Sequence, residues 1–592
     1  MKGRDRLAVV GLSLLLAAVG GVMLVSFSGS DQAQPVSGAS ASPATSVESA
    51  GVYREGVVSH PSSINPLTPQ TEADRDVVAL LFRGLIRAGP NGTLLPDLAT
   101  SWTVSADGKT YTFDLRGDAR WDDGEPVTAT DVVFTVTLAQ DPDYEGPLGA
   151  TWQGIKAEAV SPSVVKFTLP TPLGGFLRQA CLPVLPEHLL ADTSVTDLAD
   201  SDFSARPVGD GPFRIAALDD NHVLLTRDGT SYSLASPSVG PSEPAAGATA
   251  VPSDAGSPSE ALASPSAVPS FEGSGNVRAV DLLFFDDTAS AVAAFKAGKV
   301  DGVGGLTPQD SAAAATRDGS TMMRYPWADL YAVVLNQRSA HPEFADLNVR
   351  KGLLAGIDRP GIVTAVLAGY GAAADVPLPA WSSWYDPASV IATTYSQTDA
   401  AADLTAAGWT RDASGWTAKG GESQYSLRLL SPDKATDPIA YRVAQKVVGQ
   451  WRTIGLTVTW QAPAASDYLA AMANGDFDAA VVDYHLGLDP DVSGLLLSNQ
   501  AAPAGSNLSG IADKTLDGLL TAVRTTSDPT ARRTAVSALE KYVSTNVLML
   551  PVCFADYELV LSGRVGAVSS NQIADPSGRF WDVLDWRLAS DG

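Results

Sequence analysis

The residues in this 592-residue chain best suited to chemistry are its five histidines, His60, His188, His222, His341 and His485. A zinc hydrolase grips its metal from one helix face, with two imidazoles a turn apart and a carboxylate between them. No pair here has that spacing, and no histidine has a second ligand type beside it at zinc spacing. Nucleophilic and phosphate chemistry are equally unsupported. There is no G-x-S-x-G elbow and no C-x-x-C pair, and Gly298-Lys299 is followed by Val300 rather than the Ser or Thr of a phosphate loop. The carboxylate pair Asp122/Asp123 precedes Gly124, a turn where solvation accounts for it. Cys181 and Cys553 are the only cysteines, too few for a disulfide framework or a thiolate metal site. If the chain is exported they could pair, but spacing alone cannot bring their Cα atoms together. The expectation is no catalytic residue, no metal site and no cofactor.

Composition narrows the partners. The chain has 66 acidic and 40 basic residues, a net charge of −26, which argues against nucleic acid and against anionic lipid headgroups. With 45% hydrophobic and 18% charged residues it reads as globular, and its length calls for several lobes. Lys2, Arg4 and Arg6 precede an uncharged run, residues 8–27, long enough to span a bilayer. That run is longer than the roughly 7–15-residue apolar core of a signal peptide. Ala39-Ser40-Ala41 resembles a cleavage site but lies far downstream, so a retained signal-anchor is expected. The basic end, residues 1–7, then stays in the cytoplasm and the rest lies outside. Residues 28–50 read as a flexible tether, and the Pro/Ser/Ala-rich run 231–275 as a disordered insertion.

The elements that must position any site are legible in places. Trp102 and Val104, then Tyr111, Phe113 and Leu115, alternate with polar residues across Ala106-Asp107-Gly108-Lys109, the pattern of a β-hairpin. Thr128 and Asp131 have capping-box spacing, so a helix follows. Ile439, Val443, Val447, Trp451 and Ile454 recur at helical spacing, with Gly455 placed to end that helix.

Three segments of this region carry a resemblance: PDLATSW from Pro96, DGKTYTFDLR from Asp107, and WDDGEPVTATDVVF from Trp121. Together they are similar to the signature of the family 5 extracytoplasmic solute-binding proteins, which include oligopeptide- and dipeptide-binding components of ABC importers. Ser62 to Leu67, Leu182 to Leu190, Val208 to Phe213, Ala291 to Asp301, Asp346 to Arg359 and Leu404 to Trp409 extend it. The resemblance implies an α/β, two-lobed periplasmic-binding-protein-like fold with two hinge crossings and an extra lobe, preceded by the N-terminal transmembrane helix. It assigns 51–85, 200–276 and 545–592 to the first lobe, 86–199 to the extra lobe and 277–544 to the second. It also implies a monomer that performs no catalysis and passes a small solute, most simply a peptide, to membrane permease subunits. The ligand contacts it points to are Thr71 and Glu72, then Trp327, Tyr331 and Asn336, then Asp483, Tyr484 and His485, with Trp381 and Trp384 as aromatic wall. Peptide binders of the family hold the ligand's α-amine with an aspartate where this chain has Gly487. Asp483, on the same strand face as His485, is the candidate substitute. Other readings are a non-peptide solute such as a sugar or nickel chelate, a tethered ligand sensor, and, least favoured, an extracellular hydrolase.

Overall fold

In the computed structural model, residues 51–146, 148–227, 234–235, 270–271 and 275–589 are described. The basic end, the apolar run 8–27, the tether and most of the run 231–275 lie outside them. Among the described residues no helix is long and apolar enough to cross a membrane.

Strand β1 (Val52–Val57) enters the core at once and pairs in parallel with Ala279–Phe284. Helix α1 (Glu72–Leu81) follows, with Thr71 as its N-cap in a capping box with Asp74. Asp74 is fully buried and gathers the loop before the helix, accepting from the backbone N–H groups of Ser62, Ser63, Gln70 and Thr71 at 2.7–2.9 Å. One carboxylate therefore satisfies four donors that no helix or sheet would otherwise reach.

The hairpin expected from alternation is present. Strands β2 (Ala99–Val104) and β3 (Thr110–Leu115) pair with Trp102 opposite Phe113 and Val104 opposite Tyr111. Gly108 makes the turn at φ +67°. Helix α2 (Ala129–Ala139) begins at the Thr128–Asp131 capping box. The hairpin belongs to a separate four-stranded sheet, in which Phe113 packs edge-on against Phe167 at 5.7 Å.

The two halves of the molecule meet on one eleven-stranded sheet, with several two-stranded ribbons beside it. Its middle is strand β4 (Thr321–Leu335), which runs antiparallel to a 12-residue partner from Thr321 opposite Leu561 to Val333 opposite Leu550. Helix α3 (Pro438–Thr453) buries Val443, Val447 and Trp451 as its period requires, and Gly455 turns the chain away at φ +91°. Strand β5 (Ala479–His485) pairs with the other edge of β4, and β6 (Leu550–Leu561) is the 12-residue partner itself. Both long strands exceed the usual length of about 5–6 residues, because each serves two halves of the molecule. On one side of β6 lie Gly302–Gly304, β1 and Ala279–Phe284; on the far side of β4 lie β5, Ser426–Leu430 and Thr457–Gln461. The pairing is interrupted between Pro326 and Asp329. Pro326 has no N–H to donate, and an interior proline is tolerated at just such a bulge.

Beneath α1 sits a buried ionic knot. Arg579 is 1% exposed and grips Asp76 with both terminal nitrogens, at 2.7 and 2.6 Å. Its Nε donates to Glu55 at 2.8 Å, and the Tyr53 hydroxyl donates to the same carboxylate at 2.6 Å. The guanidinium also lies over the Phe580 ring, 4.2 Å from its centre. This knot joins β1, α1 and the end of the chain. Replacing Arg579 with Met leaves two buried carboxylates without their cation, so the variant should lose about 3–5 kcal/mol of stability. Chemical denaturation checks this; an unchanged midpoint contradicts the assignment.

Candidate functional site

Register and period decide which side chains meet at the β4 bulge. Asp329 lies opposite His485, and Tyr331 opposite Asp483. Side chains on a strand alternate, so Asp483 and His485 share a face, with Asp329 beside them. Tyr484 and Leu330 point the other way, into an apolar cluster with Phe477 and Phe554.

On the shared face, His485 Nδ1 donates to Asp329 in a very short hydrogen bond. Its Nε2 lies 3.6 Å from an Asp483 oxygen. The Trp327 ring stacks on the imidazole, 5.1 Å between centres and 11° from parallel, and its own N–H donates to the Ala574 carbonyl at 3.2 Å. Asp437 joins from α3. Its Oδ1 caps that helix by accepting from Ile439 and Ala440, while its Oδ2 is buried without a hydrogen-bond partner. Asp483 Oδ1 is likewise buried and unpartnered.

Three carboxylates thus crowd one imidazole, and their acidities show it. Burial, then the charges of Asp329 and Asp437, push Asp483 well above the usual carboxylate range. Burial raises Asp437 to about 6, with the Asp329 charge adding to the effect. Burial opposes charge on His485, yet Asp329 outweighs it, by charge and by hydrogen bond, and holds the imidazole above its ordinary value. Arg75 of α1 lies close enough to act against that rise.

The ten residues expected to contact a ligand separate into two groups. Glu72, Trp327, Trp381, Asp483 and His485 lie where elements from the two halves of the sheet meet. Glu72 accepts from Tyr557 at 3.3 Å, and the Trp381 carbonyl accepts from Gln572 at 2.9 Å. The other five have structural positions. Thr71 caps α1. Asn336 is 1% exposed and donates to the Gly475 and Phe477 carbonyls, closing the turn before β5. Tyr331 and Tyr484 are buried, on opposite faces of the sheet. Trp384 packs beneath Arg532 and Arg533, each 5.2 Å from its ring centre. Asp329, Asp437 and Arg75 were absent from the expected set. Asp329 had one legible signal, a lone acid inside the otherwise apolar run ADLYAVVL. Asp437 looks like nothing more than a helix cap.

A cavity of about 340 Å³ opens beside this region, lined among others by Leu80, Arg83, Cys181, Leu488, Gln572 and Ala574. Cys181 and Cys553 are both free thiols, so the pairing open to an exported chain is not made.

Residues 93–506, more than half of the chain, match the bacterial extracellular solute-binding proteins, family 5 Middle. The chain belongs to this family. Among its relatives is Protein XP55 of Streptomyces lividans, 27% identical over 517 residues, 86% of this chain and 84% of that one. Two solved structures of the same fold are the oligopeptide-binding protein AppA of Bacillus subtilis in complex with a nonapeptide and NikZ of Campylobacter jejuni in complex with Ni(L-His). AppA superposes with a TM-score of 0.69 at 21% identity, covering 91% of this chain and 99% of its own. NikZ gives 0.70 at 24%, covering 90% and 99%. A family of extracellular binding proteins agrees with the lack of catalytic spacing in the sequence.

The raised Asp437 acidity has a consequence for stability as a function of pH. The folded state holds this proton more tightly than the unfolded state, so the contribution is greatest at low pH and is lost as pH rises through about 6. Replacing Asp437 with Asn keeps a capping oxygen and removes the charge. Relative to the parent, the variant should gain roughly 2 kcal/mol on going from about pH 4.5 to about pH 7.5. Urea unfolding at the two pH values checks this, and a pH-independent difference rejects it.

Proposed function

We propose that this protein is the extracytoplasmic substrate-binding component of an ABC importer. It captures a peptide or peptide-like solute between its two lobes and presents it to the permease. The lobes follow the division 51–85, 200–276 and 545–592 against 277–544, with 86–199 as the extra lobe, and residues 8–27 tether the whole to the membrane. Family membership supports the binding role, and the relative AppA is an oligopeptide-binding protein solved with a nonapeptide.

The observation that carries the cargo reading is the surplus of buried carboxyl groups over cations at the meeting of the two halves. Asp329 is 2% exposed and Asp437 7%, and beside Asp483 they face two nearby cationic groups, His485 and Arg75. A positively charged solute end, such as a peptide α-amine, relieves that repulsion. The stacked Trp327–His485 pair adds a flat surface over which a peptide backbone or ring can lie.

The test is a thermal-shift panel of short peptides, each with a free or an acetylated amino end. At ligand concentrations near 100 times Kd a true ligand adds about 2.7 kcal/mol of stability. Free-amine peptides should raise the melting temperature, and their acetylated forms should not. Equal shifts for both forms would remove the amine contact, and no shift with any peptide would remove the peptide assignment.

A further inference from the structure

We propose that the cavity of about 340 Å³ beside Trp327 is a specificity pocket for one large, uncharged, apolar side chain of the solute. The proposal rests on the peptide reading of the cleft and adds which peptides the cleft prefers.

Position comes first. The Trp327 ring lies flat on His485, and its N–H donates to the carbonyl of Ala574, a residue of the cavity wall. The neighbouring Ile573 N–H donates to the Pro326 carbonyl at 3.0 Å, which fixes this wall to the bulge of β4. Leu488 closes the cavity from the other half of the sheet, three residues beyond His485. Its Cδ1 lies 4.0 Å from where a Cβ on Gly92 would sit. Three extended residues span at most about 10 Å. A peptide whose amine meets Asp483 therefore brings its first side chains to the cavity.

The chemistry of the wall then selects among side chains. Leu80, Phe82, Ile86, Pro183, Ile573 and Leu584 supply apolar surface. The polar residues of the wall have partners of their own. Arg83 donates to Asp97, and Arg87 lies close enough to Asp97 to feel its charge. Asp575 accepts from the Ser577 backbone at 2.9 Å. Asn571 donates to the Gly89 carbonyl at 3.1 Å, and Gln572 to that of Trp381 at 2.9 Å. Burial raises the Cys181 thiol to about 12, so it stays neutral. Two arginines stand against two aspartates, so this wall has no surplus charge, unlike the three carboxyl groups beside His485. A charged side chain placed here would lose its water without gaining a counter-ion. An engineered cavity of about 150 Å³ lined by Leu, Ile and Phe admits benzene. The larger cavity here has room for a leucine or phenylalanine side chain.

The test is calorimetry on the full chain with free-amine trialanine and with analogues carrying one Leu, Phe, Lys or Glu at each position. Leu or Phe at one position should bind about 10- to 100-fold tighter than trialanine. Lys or Glu at that position should give no such gain. Ala79 lines the cavity from the exposed side of α1, so Ala79→Trp fills it without entering the core and should cancel the gain. Leu488→Ala, which removes the closing wall, should reduce the gain several-fold. Equal affinity for every side chain, tighter binding of Lys or Glu, or an undiminished gain in both variants overturns the pocket and leaves the peptide reading standing. Absence of binding by any peptide removes both together.

Discussion

The pairing of β4 with β6 is the constraint on which both the fold and the site depend. These two strands are central to the large sheet, and each half of the molecule adds its remaining strands to one of them. A register slip of one residue would send every side chain of β4 to the opposite face. Asp329 would then enter the apolar layer now held by Leu330, Tyr484 and Phe554. The slip is blocked by burial on both faces, since Leu330, Ala332, Val333 and Leu335 are each at most 1% exposed. The ladder shifts register twice, after Pro326 and again between Tyr331 and Ala332, and Asp329 lies between the two shifts.

Two buried charge clusters flank this axis, and they are built on opposite principles. Around Arg579 the donors match the acceptors, with a bidentate grip on Asp76, a third bond to Glu55 and a tyrosine completing the second carboxylate. Such a cluster holds a shape, because each partner would be uncompensated without the others. Around His485 the acids outnumber the cation, and two of their oxygens have no partner. The first arrangement fixes α1, and with it Arg75 and Glu72, against the sheet. The second keeps its electrostatic demand open toward whatever lies between α1 and β5. Rigid support on one side and unmet charge on the other is the combination a binding site needs.

How much of this was legible in the sequence depended on distance along the chain. The β2–β3 hairpin, the Thr128–Asp131 cap and the period of α3 are local patterns, and each appears where alternation, capping chemistry or helical spacing placed it. Asp483 and His485 on one face was also a local inference and holds. Asp329 was not legible as their partner, because only strand register brings a residue 156 positions away into contact. The family resemblance points to Thr71 and Asn336 as ligand contacts, but both are residue types suited to turns and caps. Their hydrogen bonds are spent on Asp74 and on the Gly475 and Phe477 carbonyls. Trp384 has an aromatic ring suited to a pocket wall, but two arginines of one helix cover it.

The stretch from Val481 to Asp491 shows why the site's charge comes from β5 and β4 and not from further along. Gly487 has no side chain, and a Cβ built there would meet nothing nearer than the Asp489 nitrogen at 4.0 Å. Asp489 is not free either. Arg532 holds both of its oxygens, at 2.9 and 2.6 Å, and Arg178 lies close enough to feel its charge. That pair sits where Gly174 and Gly175 approach, and a Cβ at Gly175 would come within 2.8 Å of the Asp489 carboxylate. Asp489 therefore serves the contact with residues 174–178. Asp483 is the acid of β5 with an oxygen uncommitted, and it reaches the site in company with Asp329 and Asp437 rather than alone. The cluster therefore places three carboxyl groups and an imidazole together where a lone Asp483 would offer one acid.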